Sequence, residues 1–199
     1  LDKITPEFIE NRRQLIKRAR LCVIDTNLPE KTLVFLTKEF PEMDFYLDTV
    51  STAKAVKVKN ILGRLHTIKP NRLESEKLTG IQITDEGSLR RSGEFFLKQG
   101  VRRAVISLGG RGTYYRDEKN EFILETEKAK VVNATGAGDA FMAGLVYASL
   151  NKMSPEEAIR FSAAASKLAL RHENTINPEM SVKNIQKLME ETYHVKRLS

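Results

Sequence analysis

The chain of 199 residues carries 33 basic and 26 acidic side chains, a formal net charge of +7, with 41% hydrophobic residues. This composition suits a globular protein with a buried core and excludes wholesale disorder. No apolar run approaches the roughly 20 residues that span a bilayer, and the charged N-terminal stretch lacks the apolar centre of a signal peptide, so no membrane partner is expected.

The first predicted element is a helix over residues 5–20, with Thr5 as N-cap, Pro6 in the first turn and Phe8, Ile9, Leu15 and Ile16 as apolar positions. A short strand at 21–24 holds the single cysteine, Cys22, so no intrachain disulfide can form and a reducing, cytoplasmic setting fits. A helix at 29–40, a strand at 45–47, a helix at 52–62 and a strand at 67–68 follow. Residues 72–78 read as a short helix closed by Gly80, and 85–99 as a longer one closed by Gly100. A buried strand at 101–108 leads into the turn GGRG, and strands at 113–116 and 121–125 flank the polar turn DEKN as a hairpin. After a short strand at 131–132 and the run NATGAGD come helices at about 139–150, 154–171 and 181–193. Short apolar strands alternating with helices predict an α/β protein with a mostly parallel sheet, organised as one structural unit over 1–199.

The basic residues lie in separate stretches, at 12–20, 54–59, 102–103 and 196–197, interleaved with carboxylates. No Arg- and aromatic-rich module accompanies them, so no nucleic-acid partner is expected; a small polyanionic ligand explains the excess equally well.

The most informative segment is NATGAGDAFMAG, residues 133–144. A glycine-rich turn opening a helix presents backbone N–H groups and the positive end of the helix dipole, which suits a phosphate or a developing oxyanion. Gly136 and Gly138 let the main chain approach a ligand closely. Asp139, in the first helical turn, can take a proton from an alcohol while the amides hold the phosphate under attack. The same pattern also describes an ordinary strand-to-helix turn. GxxxxGK[ST] is absent, and GGRG is not GxGxxG and precedes a hairpin rather than a helix, so neither a Walker loop nor a dinucleotide fold is expected.

ATGAGDAFMAGL closely resembles the signature of the ribokinase-like (PfkB) carbohydrate and nucleoside kinases. Three further segments fall in that family's order. Lys69-Pro70-Asn71-Arg72-Leu73-Glu74 resembles its NxxE element, Ser107-Leu108-Gly109-Gly110-Arg111-Gly112 resembles the strand and turn bordering the ATP site, and residues 174–178 lie where the family closes the nucleotide pocket. The resemblance implies a ribokinase-like three-layer α/β/α fold with a mostly parallel sheet. It also implies transfer of the γ-phosphate of ATP, with Mg²⁺, to the primary hydroxyl of a ribosyl compound. Segments DTNLPEKTL, HTIKPNRLESEKLTGI and NTINPEMS are most similar to the pseudouridine kinases, which makes pseudouridine the favoured acceptor; ribose, another nucleoside or another sugar is the alternative.

Carried over by position, the resemblance implies Asp139 as base, in contact with the acceptor, and Gly136, Ala137 and Gly138 as the anion hole. Ser107, Gly109, Gly112 and Asn174 would contact nucleotide, and Asn71 and Glu74 would act on Mg²⁺ mainly through water. Asn27 would face the acceptor. Asn133 and Thr135 would border a K⁺ site, which Asn133 weakens because the family often has Asp there. Lys69 and Arg111 are further candidates for phosphate or nucleotide, while His66, His172, His194 and Cys22 read as structural. The family's N-terminal strands, lid and acceptor pocket have no counterpart in these residues. The resemblance therefore covers the C-terminal two-thirds of such a kinase, so association, either as a homo-oligomer or with the N-terminal region, is expected. A catalytically silent nucleotide-binding segment is the reading from another class.

Overall fold

The structure is a computed structural model that describes residues 1–126, 132–133, 135–174, 176–190 and 194–198. They pack as two compact units, residues 1–107 with 116–119, and residues 108–115 with 120–199.

In the first unit, β1 (Leu21–Asp25), β2 (Asp44–Asp48), β3 (Leu65–Lys69) and β4 (Arg103–Ser107) lie side by side in sequence order, every pairing parallel. Ile24, Leu47, Ile68 and Ala104 stand opposite one another in register, and all four are buried. Parallel neighbours need crossovers, and helices supply them. α3 (Glu30–Glu39) links β1 to β2, α4 (Thr52–Ala55) runs towards β3, and α5 (Arg72–Thr79) and α6 (Glu86–Lys98) join β3 to β4. α5 begins at Asn71 with a capping box and ends at Gly80, whose φ of 73° is the left-handed conformation expected there.

Two expectations for this unit need correction. The stretch 5–20 is not one helix but two, α1 (Pro6–Glu10) and α2 (Arg13–Lys17), broken at Asn11 and Arg12. Of the four apolar positions only Ile9 is buried, so no continuous core face supports a longer helix; instead Arg12 covers the Phe8 ring at 3.5 Å and Arg13 forks onto Glu10 and Glu39. The stretch 52–62 is α-helical only as far as Ala55 and continues as a 3₁₀ helix, Val56–Arg64. Its buried residues are Ala55, Val58, Ile61 and Leu62, and the three-residue steps from Ala55 to Val58 to Ile61 match the 3₁₀ repeat.

In the second unit the strand order is β5 (Thr113–Arg116), β6 (Glu121–Glu125), β7 (His194–Arg197), with β7 antiparallel to β6 and Ile123 opposite Lys196. β7 was not expected. The predicted helix over 181–193 ends early as α9 (Val182–Met189), and residues 191–193 lie outside the described residues. α7 (Ala137–Leu150) and α8 (Pro155–Leu170) pack tightly. A Cβ on Gly144 would fall 2.6 Å from the Ser162 Cα, so only glycine permits this approach, and Tyr147 stacks on Phe161 at 4.8 Å. The predicted strand at 131–132 lies partly outside the described residues. Val132 forms a bend, its N–H donating to Leu170 O at 2.9 Å.

Candidate functional site

In a parallel α/β sheet the loops beyond the carboxyl ends of the strands form the ligand side. In the first unit these ends carry Asp25, Asp48 and Lys69 in register. Lys69 Nζ meets Asp48 Oδ2 at 2.8 Å, and the two side chains are 8% and 17% exposed. Asp48 Oδ1 accepts the Val50 N–H at 3.0 Å, holding Val50 at φ 57°, a left-handed conformation unfavourable to a β-branched residue.

Asn71 and Glu74, predicted as a pair, are brought together. Asn71 Oδ1 accepts the Glu74 N–H at 2.9 Å, Glu74 Oε2 accepts the Asn71 N–H at 2.8 Å, and Asn71 Nδ2 donates to Glu74 Oε1 at 2.7 Å. A further donor, the Thr49 hydroxyl, reaches Glu74 Oε2 at 2.6 Å. The Glu74 carboxylate is thus buried and hydrogen-bonded on both oxygens. Ser107 joins this cluster. It bridges to Asn71 in parallel fashion, and its N–H donates to Pro70 O at 2.9 Å.

Asn27 is engaged at each of its side-chain polar atoms. Its Nδ2 donates to Asp25 Oδ2 at 3.0 Å and its Oδ1 accepts from Lys54 Nζ at 2.6 Å, while its backbone N–H donates to Asp25 Oδ1 at 2.8 Å. Lys57 donates to the carbonyls of Thr26 and Leu28. The loop after β1 is therefore set by a carboxylate and two ammonium groups rather than left pliable.

In the second unit, α7 starts from Gly136 in the left-handed conformation, φ 83°, an N-cap residue with no side chain to cap the helix. The first N–H groups of α7 are left without intrahelical partners, and Asp139 is exposed, with no partner among the described residues. The approach to this turn is pinned to the end of α8. Val132 N–H bonds Leu170 O, Asn133 Nδ2 donates to Glu173 O at 2.7 Å, and Asn133 Oδ1 accepts the Thr135 N–H at 2.9 Å. Asn133 and Thr135 thus lie together and beside the segment holding Asn174, whose N–H donates to His172 Nδ1 at 3.0 Å. Ala134 and Thr175, within the predicted motifs, lie outside the described residues.

Gly109 and Gly112 frame a 3₁₀ turn, with φ of 62° and 104°. A Cβ on Gly112 would fall 1.9 Å from Leu124 O, whereas one on Gly109 would meet nothing within 4 Å. Gly112 is thus required by the fold, while the space over Gly109 is open.

Among the described residues no group of three or more His, Cys, Asp or Glu side chains is placed to enclose a metal. Mg²⁺ usually keeps several waters and binds through one or two carboxylates plus substrate phosphates, and the buried Glu74 carboxylate is a group of that type. Glu74 Oε1, with one hydrogen bond, retains acceptor capacity for such a water. His66 is unsuited to acid–base work near neutrality. Burial holds its pKa down to about 4 despite Asp44, with Arg103 and Arg102 pushing the same way, and its ring stacks on Tyr46 at 5.1 Å. Burial acts in the opposite direction on the Cys22 thiol, raising its pKa.

Sequence reasoning passed over Thr26, Asp48 and Thr49. A signal was present, because β1 and β2 both end in Asp and are followed directly by Thr, at 25–26 and 48–49.

The chain matches the pfkB family of carbohydrate kinases over residues 2–182. It is 38% identical over 188 residues to the pseudouridine kinase of Escherichia coli K12, covering 94% of this chain and 60% of that protein. It is 29% identical over 171 residues to a ribokinase of Staphylococcus aureus, covering 84% and 56%. A solved structure from Clostridium perfringens assigned as a sugar kinase superposes with a TM-score of 0.93 at 35% identity, covering 96% of this chain and 61% of that one. Arabidopsis thaliana ribokinase, solved with ribose and ATP, gives 0.81 at 21% identity over 92% and 60%, a likeness of fold. The chain spans about 60% of the length of these relatives. With its family signature at the start of α7 and its parallel sheet superposing on ribokinase-fold kinases, the chain belongs to the pfkB family of carbohydrate kinases.

Proposed function

We propose that this chain carries the nucleotide-binding and phosphoryl-transfer part of an ATP-dependent kinase acting on the primary hydroxyl of a ribosyl compound, with pseudouridine the favoured acceptor. The observation that carries the reading is the start of α7, where N–H groups without intrahelical partners and an exposed Asp139, unpartnered among the described residues, share one helical turn. Asp139 takes the hydroxyl proton as the alkoxide oxygen attacks the γ-phosphorus and the bond to the β–γ bridging oxygen breaks, releasing ADP. The N–H groups of residues 136–138 face the negative charge on the transferring group, and positioning and charge stabilisation supply most of the acceleration.

Mg²⁺, when bound, neutralises the phosphates. Asn71 and Glu74 would hold its water shell. Lys69 adds a positive charge at the strand ends; its ammonium has one described partner, Asp48, and two N–H groups left for a phosphate oxygen. Ser107, Gly109, Gly112 and Asn174 border the nucleotide, with open space over Gly109 for it. Asn133 and Thr135 would border a monovalent cation, held more weakly by Asn133 than by the charged Asp common there. Asn27, with one bond at each end of its amide, is held in place by Asp25 and Lys54 and keeps one N–H and one lone pair to face the acceptor. The similarity to pseudouridine kinase at 38% identity supports the choice of acceptor over ribose.

Asp139→Asn tests the reading. In the chain joined to the remaining part of its kinase, ATP binding should persist while turnover falls by about 10²–10⁴, the range for loss of a general base. Near-normal turnover would reject Asp139 as the base.

A further inference from the structure

The geometry points to Thr49 as a positioning residue that selects which oxygen of Glu74 serves the hydrated metal, an inference that rests on the magnesium role proposed above. Thr49 lies just beyond β2 and is fully buried. Its hydroxyl is 2.6 Å from Glu74 Oε2 and 3.4 Å from Lys69 O. It has a single proton, and the short contact to a carboxylate takes it in preference to the long contact to a carbonyl. Glu74 Oε2 also accepts the Asn71 N–H, so both of its acceptor positions are filled. Among the described residues Oε1 accepts only from Asn71 Nδ2. Oε1 is therefore the oxygen left to accept from a metal-bound water, and Thr49 makes the choice by occupying the other.

Thr49 is itself held. Its carbonyl accepts from the Thr26 hydroxyl at 2.6 Å, and the Thr26 N–H donates to Asp48 O at 3.2 Å. Thr26, Thr49 and Glu74 thus form a buried hydrogen-bonded chain crossing from the end of β1 past β2 to the first turn of α5. Without the Thr49 hydroxyl, Oε2 would keep one donor and the carboxylate could exchange its two oxygens between roles. Partners of this outer kind typically contribute 10- to 100-fold to metal affinity.

The test uses Mn²⁺ as probe, with free Mn²⁺ read by electron paramagnetic resonance in the presence of ATP and the 199-residue chain. Thr49→Val keeps the shape and removes the donor, and should weaken Mn²⁺ binding about 10-fold or more. Thr49→Ser keeps the donor and should stay within about threefold of wild type on the same grounds. Thr26→Val, which removes a bond elsewhere in the chain, controls for general loosening and should change melting temperature more than Mn²⁺ affinity. If Thr49→Val does not fold, Thr49→Ala against Thr49→Ser makes the same comparison. Unchanged Mn²⁺ affinity in the donor-free variant, with only its melting temperature lowered, would reduce Thr49 to a structural role and overturn the inference. Glu74→Gln separates the two levels. If it leaves Mn²⁺ affinity unchanged, the magnesium role of Glu74 fails, and Thr49 falls with it; if it weakens binding while Thr49→Val does not, Thr49 alone is refuted.

Discussion

Breaking the ion pair between Lys69 and Asp48 should cost far more than an ordinary surface substitution. At 2.8 Å and an effective dielectric near 20, the gross attraction is about 6 kcal/mol, most of it offset by the cost of taking both ions out of water. Asp48→Asn nevertheless strands an ammonium whose side chain is only 8% exposed. Unpaired buried charges typically cost about 3–5 kcal/mol, and the partial solvent access of Asp48 brings the expected loss to about 2–4 kcal/mol. Lys69→Met leaves the carboxylate, which keeps its bond from the Val50 N–H and more water, so its cost should be smaller. The double variant, with no charge left to strand, should be less destabilised than the sum of the singles by about 2 kcal/mol. The chain has no tryptophan, so urea unfolding is best followed by far-ultraviolet circular dichroism. Additivity within about 0.5 kcal/mol would refute the claim that the pair is desolvated and coupled. In the same samples, Lys69→Met should weaken ATP binding about tenfold, the loss of one charge-assisted hydrogen bond to phosphate.

Two further outcomes are expected. Gly112→Ala forces a Cβ into Leu124 O at a backbone angle that alanine resists; it should cost more than about 3 kcal/mol or abolish soluble expression, whereas Gly109→Ala should cost about 1 kcal/mol, as measured by the same denaturation. The acid side of the stability profile should depend on the capping boxes. Glu157 is held below the ordinary carboxylate range by the Ser154 side chain and backbone, and Asp85 by the backbone and side chain of Ser88. Their contributions are complete above the unfolded carboxylate values of about 4 and are lost as pH falls through the lower folded ones. Ser154→Ala should therefore flatten the decline in urea midpoint below about pH 4.5, and an unchanged slope would reject the assignment.

Much of the framework was readable because local signals and tertiary packing agree. Asn71 followed by Glu74 at the third helical position and Gly80 beyond α5 announce both ends of that helix, and the structure places both caps there. Agreement fails where a signal is short or shared. Over the seven residues from Ala55 to Ile61, an apolar period of three barely differs from 3.6, so the 3₁₀ helix reads as an α-helix. His194–Arg197 has three basic-type side chains around one valine, too short and too polar to register as a strand until β6 supplies its partner. Gly109 and Gly112 are equivalent in sequence, and only the wall at Leu124 O distinguishes the glycine the fold cannot replace from the one with space above it. Thr49 reads as an unremarkable polar residue at a strand end; its role depends on a carboxylate 25 positions away.

The attachment of the signature turn to α8 has a mechanical consequence. Gly144 lets the body of α7 lie directly against Ser162, while Val132 and Asn133 fasten the approach to α7 to Leu170 at the end of α8 and to Glu173 just beyond it. Asp139 is therefore carried on a helix braced by α8 along its length and at its approach. The amides of Val132 and Asn133, both bonded to Leu170 O, should therefore exchange together with the last turn of α8.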